Sequence, residues 1–278
     1  MFKGSFKTLL LGSTLLAASF VSYAENMHKV WDQLVNQNVV AINNGHSTVV
    51  NYAAMQAQHS ELTTYLKMLS AVSQNEFDGW GKTKQLAFLI NAYNAWTVEL
   101  IVTNLSKDGS DLKSIKDLGG FFSSPWSKKF IPLLGETRSL DNIEHDLIRG
   151  AVDEKGKPKY NDPRIHFAVN CASIGCPALR EEAYTADKLL QQLEQQTVRF
   201  LSDTTRNFAQ SFSLSLSSIF KWYGEDFEKG YNNTHSLEEF MLQYPEALNL
   251  TPVQQKALKE GDMKIQFLKY NWDLNAQH

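Results

Sequence analysis

The stretch K82-T-K-Q-L-A-F-L-I-N-A-Y-N-A-W-T-V-E-L-I-V-T-N104 decides how the chain is read. Its apolar residues run around most of a helical circumference, so it predicts a buried central helix rather than a surface one. Asn91, Tyr93 and Asn94 interrupt that surface. Asparagine amides compete with the helix backbone, so inside a buried helix they need partners. They are candidates for binding a substrate or orienting a catalytic group, or for tying the helix to nearby loops.

More helix is expected before this stretch. Trp31, Leu34, Val35, Val39 and Ile42 recur at helical spacing until Asn43-Asn44-Gly45, and Leu62, Tyr65, Leu66 and Leu69 form one face of a helix over 61–73. After Lys107-Asp108-Gly109-Ser110 the pattern changes. Phe130–Leu134, Gly135-Glu136-Thr137 and Arg138–Leu140 read as a short hairpin, followed by a helix to Arg149. Ile165, Phe167 and Val169 alternate with His166, Ala168 and Asn170, which predicts a strand, although Asp162-Pro163 is a helix-start signal. A helix over 185–202 with Leu189, Leu190, Leu193, Val198 and Leu201 follows, then a strand through Phe212, Leu214 and Leu216. Helices near 236–243 and 252–259 and a strand at 263–268 close the series. Strands and helices mix without regular alternation, so the expected class is α+β: one domain, a helical N-terminal half packed on a small mixed or antiparallel sheet.

Lys3 and Lys7, the uncharged apolar run Leu9–Val21 and Ser22-Tyr23-Ala24 have the order of a secretion signal over 1–24, with a globular domain over 25–278. The run is short for a membrane span, which takes ~20 apolar residues. Export to the periplasm or the extracellular space, with no membrane insertion after cleavage, is the expectation. The chain has 27 basic and 30 acidic residues, a net charge of −3, and the leader carries lysines but no acid. That balance argues against nucleic acid as a partner. A small-molecule or peptide ligand is expected; the sequence indicates no cofactor and leaves the oligomeric state open.

Reactive residue types crowd two places. Glu144-His145 follows the hairpin, and His166 precedes the only two cysteines, Cys171 and Cys176. A thiol with an imidazole in reach makes a nucleophile, and a carboxylate or amide, from Glu144 or Asn91, would orient the ring. On this reading Cys171, His166, His145 and Glu144 are catalytic, Asn91, Tyr93 and Asn94 bind substrate, and no metal set is assigned. A cysteine pair in an oxidising compartment equally fits a disulfide. The tract Phe220, Trp222, Tyr223 and Phe227 reads as core, although Trp and Tyr often rim clefts.

Asn91-Ala-Tyr-Asn94, Ser139–His145, Asp162–Phe167 with Cys171-(x4)-Cys176-Pro177, Ile219–Phe227 and Leu268–Asn275 occur in this order. Together, over about 74–275, they resemble the domain-of-unknown-function family 547, found in exported bacterial proteins and in plant proteins behind a leucine zipper. The resemblance implies no particular reaction. In the plant form of the motif the position of Cys176 is serine while that of Cys171 stays cysteine. This implies that the disulfide is not a family property and singles out Cys171. The leucine zipper is absent from this sequence, so the plant partners do not carry over. Two readings follow: a thiol-dependent hydrolase or acyl transferase of the cell envelope, or a non-catalytic binding module with a structural Cys171–Cys176 disulfide.

Overall fold

A computed structural model describes residues 27–106, 112–120 and 123–277. The expected secretion signal and the Lys107–Ser110 break lie outside the described residues. The chain is α+β, with helices predominating. Helix α1 (Lys29–Asn38) leads into strands β1 (Val39–Ile42) and β2 (Ser47–Val50), then α2 (Tyr52–Ala57), α3 (His59–Ala71), α4 (Gln74–Asp78) and α5 (Lys82–Val102). The first helix stops earlier than its apolar spacing suggests. Asn38 Nδ2 donates to Leu34 O at 2.9 Å, and the β-branched Val39, Val40 and Ile42 then pair antiparallel with Ser47–Val50.

Helix α5 is buried from Gln85 to Val102 except near Glu99. Around it pack Trp31 and Val35 of α1, and Tyr65 and Leu69 of α3. The hairpin β3 (Ile131–Leu133) and β4 (Glu136–Arg138) adds Ile131 and Leu133 to the same cluster. The next helix, Asn142–Arg149, is a π helix; Gly150 N–H reaches His145 O at 2.7 Å, one residue farther back than an α turn allows.

The strand expected at Ile165–Val169 is instead a 3₁₀ turn, Pro163–Phe167. Asp162 Oδ1 accepts from Arg164 N–H at 3.1 Å, and proline at the first position presets the turn. The alternation that suggested a strand has another origin. Ile165 packs into the cluster around α5, Phe167 packs into a second cluster, and His166 is buried between them.

That second cluster holds Phe200 and Leu201 of α6 (Leu189–Leu201) and the three-stranded sheet β5 (Phe208–Gln210), β6 (Ser213–Leu216) and β7 (Lys264–Phe267). The sheet is mixed: β5 and β6 are antiparallel, β6 and β7 parallel. Between β6 and β7 lie α7 (Ile219–Trp222), α8 (Gly224–Phe227), α9 (Leu237–Met241) and α10 (Pro252–Glu260). Helix α6 buries Leu189, Leu193 and Leu201 but leaves Leu190 and Val198 exposed, because its inner stripe also takes Gln192, Gln196 and Thr197. The glutamine amides donate to Ala183 O, Ala178 O and Phe167 O and so hold loops. After β7 the chain returns to the first cluster. Val50 N–H donates to Asn275 O, Leu274 N–H to Lys113 O, and Ile174 N–H to Asp273 O, each within 2.8 Å.

Candidate functional site

A cleft of about 210 Å³ opens where the π helix, the cysteine loop, α7 and the returning tail meet. Glu144 and His145, adjacent in sequence, both line it. Glu144 is buried, and the hydroxyls of Tyr93 and Tyr223 lie close enough to its carboxylate to feel its charge. Burial raises both phenols well above their ordinary pKa, and the negative Glu144 raises them further. His145 is half-exposed; its Nδ1 lies 2.8 Å from an Arg149 nitrogen and its Nε2 3.9 Å from Asp141. Burial raises the Asp141 carboxyl; His145 opposes that rise, and Glu144 and Asp146 add to it.

His166 also lines the cleft, stacked on Tyr223 with ring centroids 4.1 Å apart. Its Nε2 is 2.7 Å from Asp226 Oδ2. Arg149 Nε, at 2.6 Å, and Lys229 Nζ, also at 2.6 Å, bind the same carboxylate. Burial alone would raise the Asp226 carboxyl, but hydrogen bonds from His166, Arg149 and Lys229 hold it far below the ordinary carboxylate range. Asp226, rather than Glu144 or Asn91, is therefore the group that orients an imidazole here.

Cys171 and Cys176 are joined by a disulfide, 2.12 Å between sulfurs. In this state Cys171 holds no thiol, and among the described residues its sulfur's hydrogen-bonding neighbours are Tyr270 OH at 3.2 Å and Ser173 Oγ at 3.3 Å rather than an imidazole. The loop between the cysteines is fixed by its backbone. Ala172 takes a left-handed φ of 58°, held by Asn170 Oδ1, which accepts from Ala172 N–H at 2.9 Å. Gly175 meets the tail so closely that a Cβ there would lie 2.8 Å from the Tyr270 ring and 2.9 Å from Asn271 O, so only glycine fits without a shift. Arg206 donates to Cys176 O and to Ser47 Oγ.

Of the residues expected to bind substrate, Tyr93 reaches the cleft and the two asparagines do not. Asn91 donates to Tyr184 O at 2.7 Å and accepts from Tyr184 N–H at 3.0 Å. Asn94 donates to Ala168 O at 2.9 Å and accepts from Asn170 N–H at 2.8 Å. Each amide donates one hydrogen bond to backbone and accepts one from it, so the pair anchors loops, including the one that carries Cys171.

The other wall is aromatic. Trp222, Tyr270 and Trp272 lie 4.5–5.7 Å apart by ring centroid, and Trp126 meets Trp272 edge-on at 5.5 Å. Trp222 stays 47% exposed. Phe220 and Phe227 are core as the sequence suggests, whereas Trp222 and Tyr223 from the same tract face the cleft. Asp226, Tyr270 and Trp272 belong to quoted motifs but carry no local pattern; the available hint is rings set among polar residues without core periodicity.

Residues 77–201 match the model of a family described as Protein of unknown function, DUF547. The matched stretch holds Tyr93, Glu144, His145, His166 and both cysteines, while Trp222, Asp226, Tyr270 and Trp272 fall beyond it. No curated protein and no solved structure matches the chain. Over residues 77–201, then, the chain carries the DUF547 domain.

Proposed function

We propose that the protein is an exported binding module whose cleft takes a small ligand and whose Cys171–Cys176 disulfide fixes one wall. The observation that supports this reading is the joining of a preformed aromatic cleft to a closed disulfide. Concave, mostly apolar sites with a few fixed polar groups are the usual form of ligand pockets. In an oxidising compartment the disulfide persists and holds the loop that Asn94 and Asn170 anchor. The test is a thermal-shift screen of the purified protein against small molecules and short peptides, beside the Trp222→Ala variant. Ligands that raise the wild-type melting temperature and fail on the variant support the reading. Failure of every class of ligand, or equal shifts in both proteins, would sink it.

One observation favours a second reading, a thiol-dependent hydrolase or acyl transferase acting after reduction. Asp226 fixes Nε2 of His166, which shares the cleft with both cysteines, and this leaves Nδ1 as the nitrogen to receive a proton. A dithiol reductant would first open the disulfide. The Cys171 sulfur would then attack an acyl carbon, its proton passing through His166 to the leaving group, and water or an acceptor would cleave the thioester. Turnover of a chromogenic acyl ester that requires reductant, and disappears in Cys171→Ser and His166→Gln, would place the protein in this class. No turnover in reduced protein removes it.

A further inference from the structure

The cleft's charges and rings narrow what it can hold. Its wall contains the carboxylates Asp141 and Glu144 and, among the described residues, no lysine or arginine. The cations around it are already engaged: Arg149 with Asp226 and His145, Lys116 over the Trp272 ring, and Arg206 with Asp203 and Cys176 O. Against the acids stand electron-rich rings, with Trp126, Trp222, Tyr270 and Trp272 on one side and Tyr93 and Tyr223 on the other. Ring faces of this kind attract cations electrostatically, most strongly where water is excluded. Two of these rings already do so within the molecule: Lys116 Nζ sits 3.8 Å from the Trp272 centroid, and the Arg149 guanidinium carbon 4.9 Å from that of Tyr223. Trp222, at 47% exposure, leaves apolar surface that a ligand would cover.

We propose that the cleft binds a small organic cation, an alkylammonium or quaternary ammonium group seated against the Trp222–Tyr270–Trp272 rings with its charge toward Asp141 and Glu144. The inference rests on the cleft being a ligand site and adds the ligand's chemical class. Anions are disfavoured by the two carboxylates, and a neutral ligand would leave the wall's negative field uncompensated. Burial chiefly raises the Tyr93 and Tyr223 hydroxyls, and the charge of Glu144 beside them raises both further. A cavity of about 210 Å³ suits a head group or a free amine rather than a folded chain.

The test is calorimetry at neutral pH with choline and tetramethylammonium, beside 3,3-dimethylbutan-1-ol, which replaces the choline nitrogen by carbon at nearly the same shape. Choline should bind at least about tenfold tighter than the neutral isostere. Glu144→Gln and Trp222→Ala should each weaken choline about tenfold, and Trp222→Phe, which keeps a ring, should weaken it less. Circular dichroism of each variant separates a lost site from a lost fold. Equal binding of choline and its isostere, or no binding of either ammonium probe, overturns the inference. If neutral or anionic ligands from the thermal-shift screen bind in a Trp222-dependent way while the ammonium probes do not, the ligand class is wrong and the binding module stands.

Discussion

At the scale of single residues, Asp226 is the most consequential side chain the structure adds. Its buried carboxylate joins His166, Arg149 and Lys229. Its folded pKa is depressed, so it stabilises the fold above the unfolded value of about 3.9, and that stability is lost as pH falls below it toward the folded value. Asp226→Asn should lower stability by about 3 kcal/mol at neutral pH, because it leaves Arg149 and Lys229 without their counter-charge. It should also flatten the acid limb of the stability profile below about pH 4. Denaturant melts at a series of pH values check both, and a variant that keeps the wild-type acid limb would contradict the assignment. The chain position of Asp226, 60 residues from His166, explains why spacing did not reveal the pair.

Elements differ in how much of themselves they announce. Helix α5 is legible because its apolar residues surround it, a pattern that only a buried helix produces. The turn Pro163–Phe167 is not, because two separate apolar clusters receive Ile165 and Phe167 and so imitate the single buried face of a strand. The Asp162-Pro163 start signal was the better guide, since it acts locally while alternation acquires meaning only from what lies on each side. The π character of Asn142–Arg149 has no sequence signature of its own, yet the element brings Glu144 and His145 to one cleft. Asparagines inside α5 mark where that helix grips loops. Asn94→Ala should lower stability by about 2 kcal/mol, since Ala168 C=O and Asn170 N–H would lose their partners in a buried setting. It should also loosen the cysteine loop, which faster hydrogen exchange at Asn170 and Ala172 would show. An unchanged exchange rate there would mean that the loop is held by other bonds.

For the whole molecule, the α+β mixture was readable because its helical and period-two segments are distinct, but the cleft was not, because it is assembled from parts far apart in the chain. Tyr270 and Trp272 reach it after β7, when the tail runs back to residues 50, 113 and 174. A chain stopped after Leu268 should therefore lose about 4 kcal/mol, from the buried Leu274 and partly buried Tyr270 side chains and the backbone bonds they accompany. Thermal melts and binding of a hydrophobic dye measure the effect. A truncated chain with an intact melting temperature would show the tail to be an ornament rather than a clasp.

That late return has a temporal consequence. Synthesis proceeds from the amino terminus, so a growing chain can pack α1 to α5 and even join its cysteines while it still has nothing with which to hold a guest. The cleft is complete only once Trp272 has been made and laid back across the earlier half, so on the proposed reading a chain interrupted before that residue would look largely folded and still be functionally blind.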